Sequence, residues 1–460
     1  MSDLLGRQAL VIGTGMSGLA AAGALAEHFE QVIVVERDLL ADTPAHRPGT
    51  PQSRQLHGLL SGGLDALCRL FPGLDRDLAA AGAAPLRVNI DLREELPGFD
   101  PFPRRDFGRV IYTASRPLLE HTVRRRVRAR CNVVIRDQCL VRELVSSADR
   151  RSITGARCER IDGSRETIAA DLVVDASGRG ALTLAALDAM GRARPPETTV
   201  GVDIGYATAS FEIPEPRPDW HAVFAFPSAP SDSRCGYLLP VEGNRWMVSI
   251  TELHCPRPPR DLAEFLDAAR RLRTSTIHDA IRNARPAGMP QRFAFAASSW
   301  RHYEAVVDFP QGLIPIGDSI CRFNPVYAQG MSVAAREAAI LADLLARRAR
   351  GAGDLAGLPQ DFLAEVQPWL AGAWSMSTTP DLAYPQTRGG RPVDLEHTLG
   401  FVAALYRIAA RDPAVHELLV EVHHLARPES DLREPGLVDR VRAEMAAASP
   451  PTAELATLAA

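Results

Sequence analysis

The stretch that decides the fold is Gly13-Thr14-Gly15-Met16-Ser17-Gly18, which follows the apolar run Ala9-Leu10-Val11-Ile12. An apolar strand, a turn with the spacing GxGxxG and a helix rich in small residues over 17–28 are typical of the start of a dinucleotide-binding βαβ unit. A second apolar strand at 31–36 ends in an acidic residue, Glu36. The N-terminal part of the chain is therefore predicted to bind a dinucleotide.

Each residue type in this stretch meets a separate need. Gly13 permits the tight turn, Gly15 leaves room for a pyrophosphate against the backbone, and Gly18 lets the helix pack on the strand. The free N–H groups at the helix start attract phosphates. The Glu36 carboxylate can accept hydrogen bonds from ribose hydroxyls and would repel a phosphate on the same ribose.

A second signature far downstream decides between FAD and NAD. Gly317-Asp318 follows the apolar run 313–316 and precedes Asn324-Pro325-Val326-Tyr327-Ala328-Gln329-Gly330-Met331. Asp318 is expected to bond ribityl or ribose hydroxyls of an extended FAD. The helix that starts near Gly330 is expected to direct its N–H groups at the pyrimidine edge of the flavin. The pair of signatures predicts FAD.

Composition limits the other function classes. The chain has 460 residues, 46% of them hydrophobic, and a net charge of -4, which gives no electrostatic case for binding nucleic acid. Its seven cysteines are scattered and contain no CxxC pair, which argues against a disulfide framework or a zinc site and fits a cytoplasmic setting. There is no signal-type start and no apolar run long enough to span a membrane.

The pattern of strands and helices indicates an α/β protein assembled from discontinuous pieces. Strands are expected at 133–135, 140–145, 153–159 and 170–175, an antiparallel sheet at 198–255, helices at 58–82, 116–130 and 261–285, and mostly helix from 330 onward, with a disordered last dozen residues. The predicted division is 1–85, 111–190 and 301–345 for the FAD-binding domain, 86–110 and 191–300 for a substrate domain, and 346–460 for a helical C-terminal region.

Several stretches resemble one family. They are VERDLLADTPAHRPGTPQSRQLHGLLSGGLDALCRLFPG, SRPLLEHTVRRRV, ADLVVDASGRG, YLLPVEGNRWMVSI and IGDSICRFNPVYAQGM, within residues 8–345. The chain is similar to the class A flavoprotein monooxygenases of the para-hydroxybenzoate hydroxylase superfamily, most of all to bacterial flavin epoxidases of polyether polyketide pathways. This resemblance implies a Rossmann-like (GR2-type) FAD-binding domain with an inserted antiparallel-sheet substrate domain and a helical C-terminal region.

The resemblance also implies which residues hold FAD. These cofactor-binding candidates are Gly13, Gly15, Met16, Ser17, Gly18, Glu36, Arg37, Arg47, Arg116, Val141, Asp175, Asp318, Pro325, Gly330 and Met331. Arg116 opens a helix, where a cation is disfavoured unless an anion lies nearby, and a salt bridge is the alternative reading. The segment from Asp175 to Gly180 departs from the family's Asp-Gly motif, so either NAD(P)H or a separate flavin reductase is expected to supply electrons.

Such relatives deliver one oxygen atom to the substrate from a flavin C4a-hydroperoxide, so no protein nucleophile is needed. The resemblance predicts epoxidation or hydroxylation of an apolar, polyene-like polyketide by a monomer or homodimer. The pocket candidates are Tyr206, Phe224, Phe226, Tyr237, Trp246, Phe323 and Tyr327. Three alternatives stay open: a redox-neutral FAD-bound cyclase, a flavin halogenase, whose Trp-x-Trp-x-Ile-Pro motif is absent, and a flavin carrier without activity.

Overall fold

The computed structural model describes residues 4–255, 257–351 and 353–447. The strands are β1 (Gly6–Ile12), β2 (Phe29–Val35), β3 (Ala84–Arg87), β4 (Leu92–Glu95), β5 (Val110–Thr113), β6 (Val133–Arg136), β7 (Cys139–Ser146), β8 (Ile153–Arg160), β9 (Arg165–Ala169), β10 (Leu172–Asp175), β11 (Glu197–Glu212), β12 (Ala222–Ala225), β13 (Arg234–Val241), β14 (Arg245–Glu252), β15 (Gln291–Arg301), β16 (Leu313–Pro315) and β17 (Cys321–Arg322). The disorder predicted for the last dozen residues lies outside the described residues.

The helices fill the layers around these strands. They are α1 (Met16–Leu25), α2 (Ser61–Leu70), α3 (Leu74–Ala80), α4 (Arg116–Arg128), α5 (Ala181–Ala189), α6 (Leu262–Arg270), α7 (Thr276–Ile281), α8 (Gly330–Arg350), α9 (Leu358–Leu382), α10 (Leu395–Arg411), α11 (Pro413–His423) and α12 (Pro435–Ala447). In the part of the chain that is described, no helix combines the length and apolar character that crossing a membrane requires.

A parallel sheet carries the dinucleotide signature. Its strand order is β16-β10-β1-β2-β6, and all four pairings are parallel. Ile12 pairs with Asp175, which in turn pairs with Pro315, so these three strands end side by side. The loops that follow them therefore share one edge of the sheet, which is where open parallel sheets bind ligands.

A larger sheet forms the second layer. Its order is β17-β15-β11-β14-β13-β12-β4, antiparallel throughout except that β4 joins β12 in parallel. One face packs on α6 and α7 through a core that includes Phe211, Val248 and Phe265. This sheet confirms the expected antiparallel layer and extends it beyond 198–255 on both sides.

The C-terminal helices complete the fold. Helices α10, α11 and α12 share an apolar core with Leu96 and Phe102, which follow the edge strand β4. The helical region is thereby fixed against the larger sheet. The predicted fold class, an α/β FAD-binding fold with an antiparallel sheet and a helical C-terminal region, is confirmed.

Candidate cofactor and substrate site

The first glycine-rich turn leaves a space above it. Gly13 has a φ of 101°, which favours glycine, and a Cβ on Gly18 would lie 1.9 Å from the carbonyl oxygen of Gly13. A Cβ on Gly15, by contrast, would meet no atom within 4 Å. Gly13 and Gly18 are thus required by the turn itself, whereas Gly15 borders a space that is open for a ligand.

The start of α1 is free to bind an anion. Gly15 is the N-cap residue, no side chain caps the helix, and its first turn, which includes Met16 and Ser17, contains no acidic residue. The unpaired N–H groups and the positive end of the helix dipole therefore point toward the space beside Gly15.

Glu36 lies at the end of β2 beside this turn. One of its carboxylate oxygens accepts hydrogen bonds from the backbone N–H and the hydroxyl of Thr14, at 2.9 and 2.6 Å. Burial opposes ionisation, but the charge of Arg47 and these hydrogen bonds outweigh it and hold the pKa of Glu36 below its usual value. Glu36 is thus an ionised acceptor within the site. Arg37, the next residue, is exposed.

Arg47 connects the two sides of this region. Its guanidinium group lies 3.0 Å from Glu36, 3.3 Å from Asp38 and 3.3 Å from Glu120 on α4. Arg116 pairs with the same Glu120 at 2.7 Å, so the salt bridge that was the alternative reading of Arg116 is present. These buried charges join the Pro-rich loop after β2 to the start of α4.

Two further cofactor candidates lie near this edge. Val141 is buried on β7, whose first residue, Cys139, donates its N–H to the Glu36 carbonyl. Asp175 is fully buried, and its carboxylate accepts hydrogen bonds from Ser177 and Thr183. In this structure Asp175 orders the loop after β10, and it does not border an accessible space.

The second signature lies directly against the first. A Cβ on Gly317 would lie 2.8 Å from the Cβ of Ser17, and one on Gly330 would lie 4.0 Å from the carboxylate of Asp318. The buried Glu337 on α8 accepts the N–H of Gly317 at 2.6 Å. Sequence reasoning missed Glu337, which holds this loop in place through its hydrogen bond with Gly317.

Asp318, in the second glycine-rich loop, has an accessible side chain. Its side chain is exposed, yet the surrounding protein is close enough that burial raises the pKa of its carboxyl group, against the charges of Arg322 and Arg116. Its accessible surface and the protein atoms around it indicate a concave part of the surface. Asp318 therefore lies where the two glycine-rich loops can enclose a ligand.

The loop before α8 is held by a residue from the C-terminal region. The buried carboxylate of Asp381 on α9 accepts hydrogen bonds from the Asn324 amide, at 3.0 and 2.9 Å, and from the Tyr327 hydroxyl, at 2.9 Å. Burial raises the pKa of Asp381 to about 7. Pro325 is exposed, Met331 is buried, and α8 starts without a side-chain cap. Sequence reasoning missed Asp381 because its contact spans more than fifty residues.

Four of the aromatic candidates share the face of the larger sheet that α6 and α7 leave free. The Tyr206 hydroxyl lies 3.5 Å from Asn324 Oδ1, and the rings of Phe224, Phe226 and Tyr237 pack edge to face at 5.1–6.2 Å. Tyr237 and Tyr327 line one small cavity. This face of the sheet therefore reaches the loop that precedes α8.

Two aromatic candidates lie elsewhere. Trp246 stacks on Trp220 at 5.8 Å within the core beneath α6 and α7, so its assignment to the pocket is wrong. Successive residues of a strand alternate between faces, and Trp246 points to the face opposite Ser249. Phe323 is buried in the core of the parallel sheet and packs there with other apolar residues.

The residues present fit FAD. The open space beside Gly15 and the uncapped start of α1 suit the pyrophosphate, and Glu36 suits the adenosine ribose. Asp318 and the uncapped start of α8 suit the ribityl chain and the pyrimidine edge of the flavin. The two groups of residues adjoin through Ser17 and Gly317, as one extended ligand requires.

Replacing Asp318 with alanine is expected to weaken FAD binding by about 1–3 kcal/mol, because hydrogen bonds to a charged, partly enclosed acceptor are lost. The change in affinity is measured by titrating the apo-protein with FAD and monitoring the quenching of flavin fluorescence. Asp308→Ala, which removes an exposed carboxylate from the loop that precedes β16, is the control. If the Asp318 variant binds FAD with wild-type affinity, Asp318 does not contact the cofactor.

Comparison with known sequences agrees with this geometry. A family described as an FAD binding domain matches residues 7–360. Protein Rv3254 of Mycobacterium tuberculosis is 36% identical over 392 residues, which cover 82% of this chain and 80% of that protein.

Several solved structures share the fold at low identity. The flavin-dependent brominase Bmp2 has a TM-score of 0.64 at 13% identity and covers 96% of this chain and 98% of its own. PqsL of Pseudomonas aeruginosa, described as a probable FAD-dependent monooxygenase, has a TM-score of 0.60 at 16% identity. The match covers 83% of this chain and 97% of PqsL. The Diels-Alderase PyrE3 of pyrroindomycin biosynthesis has a TM-score of 0.58 at 17% identity and covers 91% and 80%.

The family match spans most of the chain, and its residues include both glycine-rich signatures and the loops that join them. The structural relatives are flavin proteins of the same architecture. The chain belongs to the FAD binding domain family, and its cofactor is FAD.

Proposed function

We propose that this protein is a FAD-dependent monooxygenase that oxidises a carbon–carbon double bond of an apolar, polyketide-like substrate. The observation that carries the proposal is the aromatic face of the larger sheet, which continues to Tyr327 in the loop before α8. FAD, when bound, supplies the activation of oxygen. The protein's own residues would bind the substrate and keep water from it.

The aromatic side chains suit this task. Phe224, Phe226 and Tyr237 offer large, rigid and mostly apolar surfaces to a hydrophobic ligand. Burial raises the pKa of Tyr237 and of Tyr327 well above the usual value, so both phenols stay protonated at neutral pH. Neither would serve as a base, and oxidation of an electron-rich alkene does not need one.

The fold alone does not select the reaction, since a brominase, a probable monooxygenase and a Diels-Alderase share it. The five tryptophans, at 220, 246, 300, 369 and 374, cannot form the Trp-x-Trp halogenase motif. A redox-neutral cyclase, in which FAD is structural, is the second candidate. The Asp175–Gly180 segment differs from the family's Asp-Gly motif, and this difference favours a separate flavin reductase over direct NAD(P)H use.

The two candidates differ in what happens to oxygen. The FAD-loaded protein is incubated with a flavin reductase, NADPH, isotopically labelled oxygen and a polyene alcohol such as retinol. A product that gains one labelled oxygen atom, and forms faster when the reductase is present, is the expected result. A product with the mass of the substrate, formed equally fast without oxygen and with oxidised FAD, would replace the monooxygenase proposal with the cyclase.

A further inference from the structure

An acidic residue, Glu94, lies on the face of the larger sheet that α6 and α7 leave free, which is the proposed substrate side. Glu94 on the edge strand β4 pairs in register with Phe224, which pairs with Tyr237 on the next strand. Partners in register project to the same face of a sheet, so Glu94 shares the face of these two aromatic rings. The same row continues through Ser249 and Thr208.

The far end of this row is closed by the Pro-rich loop. The Thr208 hydroxyl lies 3.0 Å from the Ser249 hydroxyl and 2.7 Å from the side-chain oxygen of Gln55. Polar groups there satisfy one another. The Glu94 end of the row is different, because its neighbours on the sheet are the rings of Phe224, Phe226 and Tyr237.

The Glu94 carboxyl group has no hydrogen bond or ion pair with any of the residues that the structure describes. Its neighbour Glu95, on the opposite face, pairs with Arg93 at 2.6 Å and accepts a hydrogen bond from Thr276 at 2.5 Å. Glu94 is nevertheless not sealed in the core, since its side chain remains partly accessible. An unpaired and partly accessible carboxyl group beside aromatic rings lacks a donor, and a ligand can provide one.

We propose that Glu94 is the polar anchor of the substrate pocket and accepts a hydrogen bond from a donor group, an ammonium or a hydroxyl, on an otherwise apolar substrate. This inference rests on the proposed function and specifies its substrate class. Glu94 lies two strands from Tyr237, roughly 10 Å at the usual strand spacing. It therefore acts as a positioning residue that holds one end of the substrate while the other end lies near Tyr327.

Tyr406 on α10 lies close enough to Glu94 to interact with its charge, and His423 on α11 contacts Tyr406. Burial raises the pKa of Glu94 to about 7. Burial lowers the pKa of His423, on α11, to about 4 and raises that of Tyr237 and of Tyr406, on α10. His423 is thus neutral and both phenols are protonated, so binding of a cation should strengthen as the pH rises through the pKa of Glu94.

Four small probes test the proposal by calorimetry on the oxidised, FAD-loaded protein. Phenethylamine carries a cation, phenethyl alcohol a neutral donor, phenylacetate an anion, and ethylbenzene no polar group. At mildly alkaline pH, where the amine is still protonated, the amine and the alcohol are expected to bind more tightly than ethylbenzene, and phenylacetate least tightly. The affinity of the amine relative to ethylbenzene should fall at mildly acidic pH, whereas the affinity of the alcohol relative to ethylbenzene should not. This difference distinguishes the two donor types.

In Glu94→Gln the affinity for phenethylamine should fall at least about tenfold, since a hydrogen bond to a charged group is worth that much. Ethylbenzene should bind as it does to the wild type. Glu94→Asp should retain part of the preference for the amine over ethylbenzene. Glu30→Gln, which removes one exposed charge from β2 of the parallel sheet, should change nothing. FAD content and thermal unfolding show that each variant is folded.

Three results would overturn the role of Glu94. They are equal affinity of the four probes, no binding of any probe to the wild type, and equal amine affinity in the wild type and in Glu94→Gln. None of these measurements involves turnover. Failure of oxygen transfer would therefore leave the anchor intact, and failure of the anchor would leave oxygen transfer open.

Discussion

The Gly15→Val variant is expected to fold as the wild type does and to retain no FAD through purification. The backbone at Gly15 has φ -67° and ψ 178°, which a residue with a side chain adopts readily, and its Cβ would meet no protein atom. The branched side chain would instead fill the space against which the pyrophosphate lies. We expect the affinity for FAD to fall by more than about a hundredfold, or roughly 3 kcal/mol.

The neighbouring glycines separate this effect from damage to the fold. Gly18→Val is expected to misfold, because its Cβ would overlap the Gly13 carbonyl. Gly436→Val, where a Cβ also meets no atom, is the matched control and should keep wild-type FAD. Circular dichroism reports folding, and the absorbance of released cofactor reports FAD. A folded Gly15→Val protein with wild-type affinity would show that the pyrophosphate lies elsewhere.

The parallel sheet and its glycine-rich turn could be predicted because their signals are local. A strand, a turn that demands positive φ at Gly13 and a helix that must approach within contact distance at Gly18 occupy consecutive residues. The second signature is equally compact. What brings the two together, the contact of Gly317 with Ser17, follows from the parallel register once both strands are placed in one sheet.

The residues that support the loops could not be predicted in the same way. Asp381 and Glu337 lie on long helices, and no periodicity distinguishes them from solvated acidic residues. Only the folded chain brings the Asp381 carboxylate to Asn324 and Tyr327 and the Glu337 carboxylate to Gly317. Such contacts between distant elements are set by tertiary packing and leave no mark on the local sequence.

Prediction of the substrate side of the larger sheet from the sequence is limited for a different reason. Alternation along β14 separates Trp246 from Ser249, but the sequence does not say which face α6 and α7 will cover. The same uncertainty concealed Glu94, since a four-residue edge strand carries too few residues to show a pattern. The pairing of Arg116 with Glu120, in contrast, has the i,i+4 spacing that a helix brings together.

Removing Arg47 is expected to have the largest effect on stability. Its guanidinium group is buried among the carboxylates of Glu36, Asp38 and Glu120. Arg47→Met keeps the length of the side chain and leaves three acidic groups without their shared cation. We expect a loss of about 3–5 kcal/mol in the free energy of unfolding, measured by denaturant titration of the apo-protein at neutral pH.

Arg69→Met is the matched control, because the Arg69–Asp343 pair is about half exposed on both sides and such pairs contribute at most about 1 kcal/mol. The apo-protein is used so that any change in FAD affinity does not enter the measurement. An Arg47→Met variant as stable as the control would mean that the three carboxylates are stabilised by other groups.

The pH dependence of this loss follows from the direction of the Glu36 shift. In the wild type the pKa of Glu36 lies below its usual value near 4.5, so its stabilising contribution is present above that value and is lost as the pH falls further. Without the charge of Arg47, burial opposes the ionisation of Glu36 with less to offset it, so the stabilising contribution of the Glu36 carboxylate is reduced. The difference in stability from the wild type should therefore be largest at neutral pH, where Glu36 is ionised, and should narrow toward acidic pH. A difference that is constant between these conditions would show that Arg47 stabilises the fold through packing of its side chain and not through its charge.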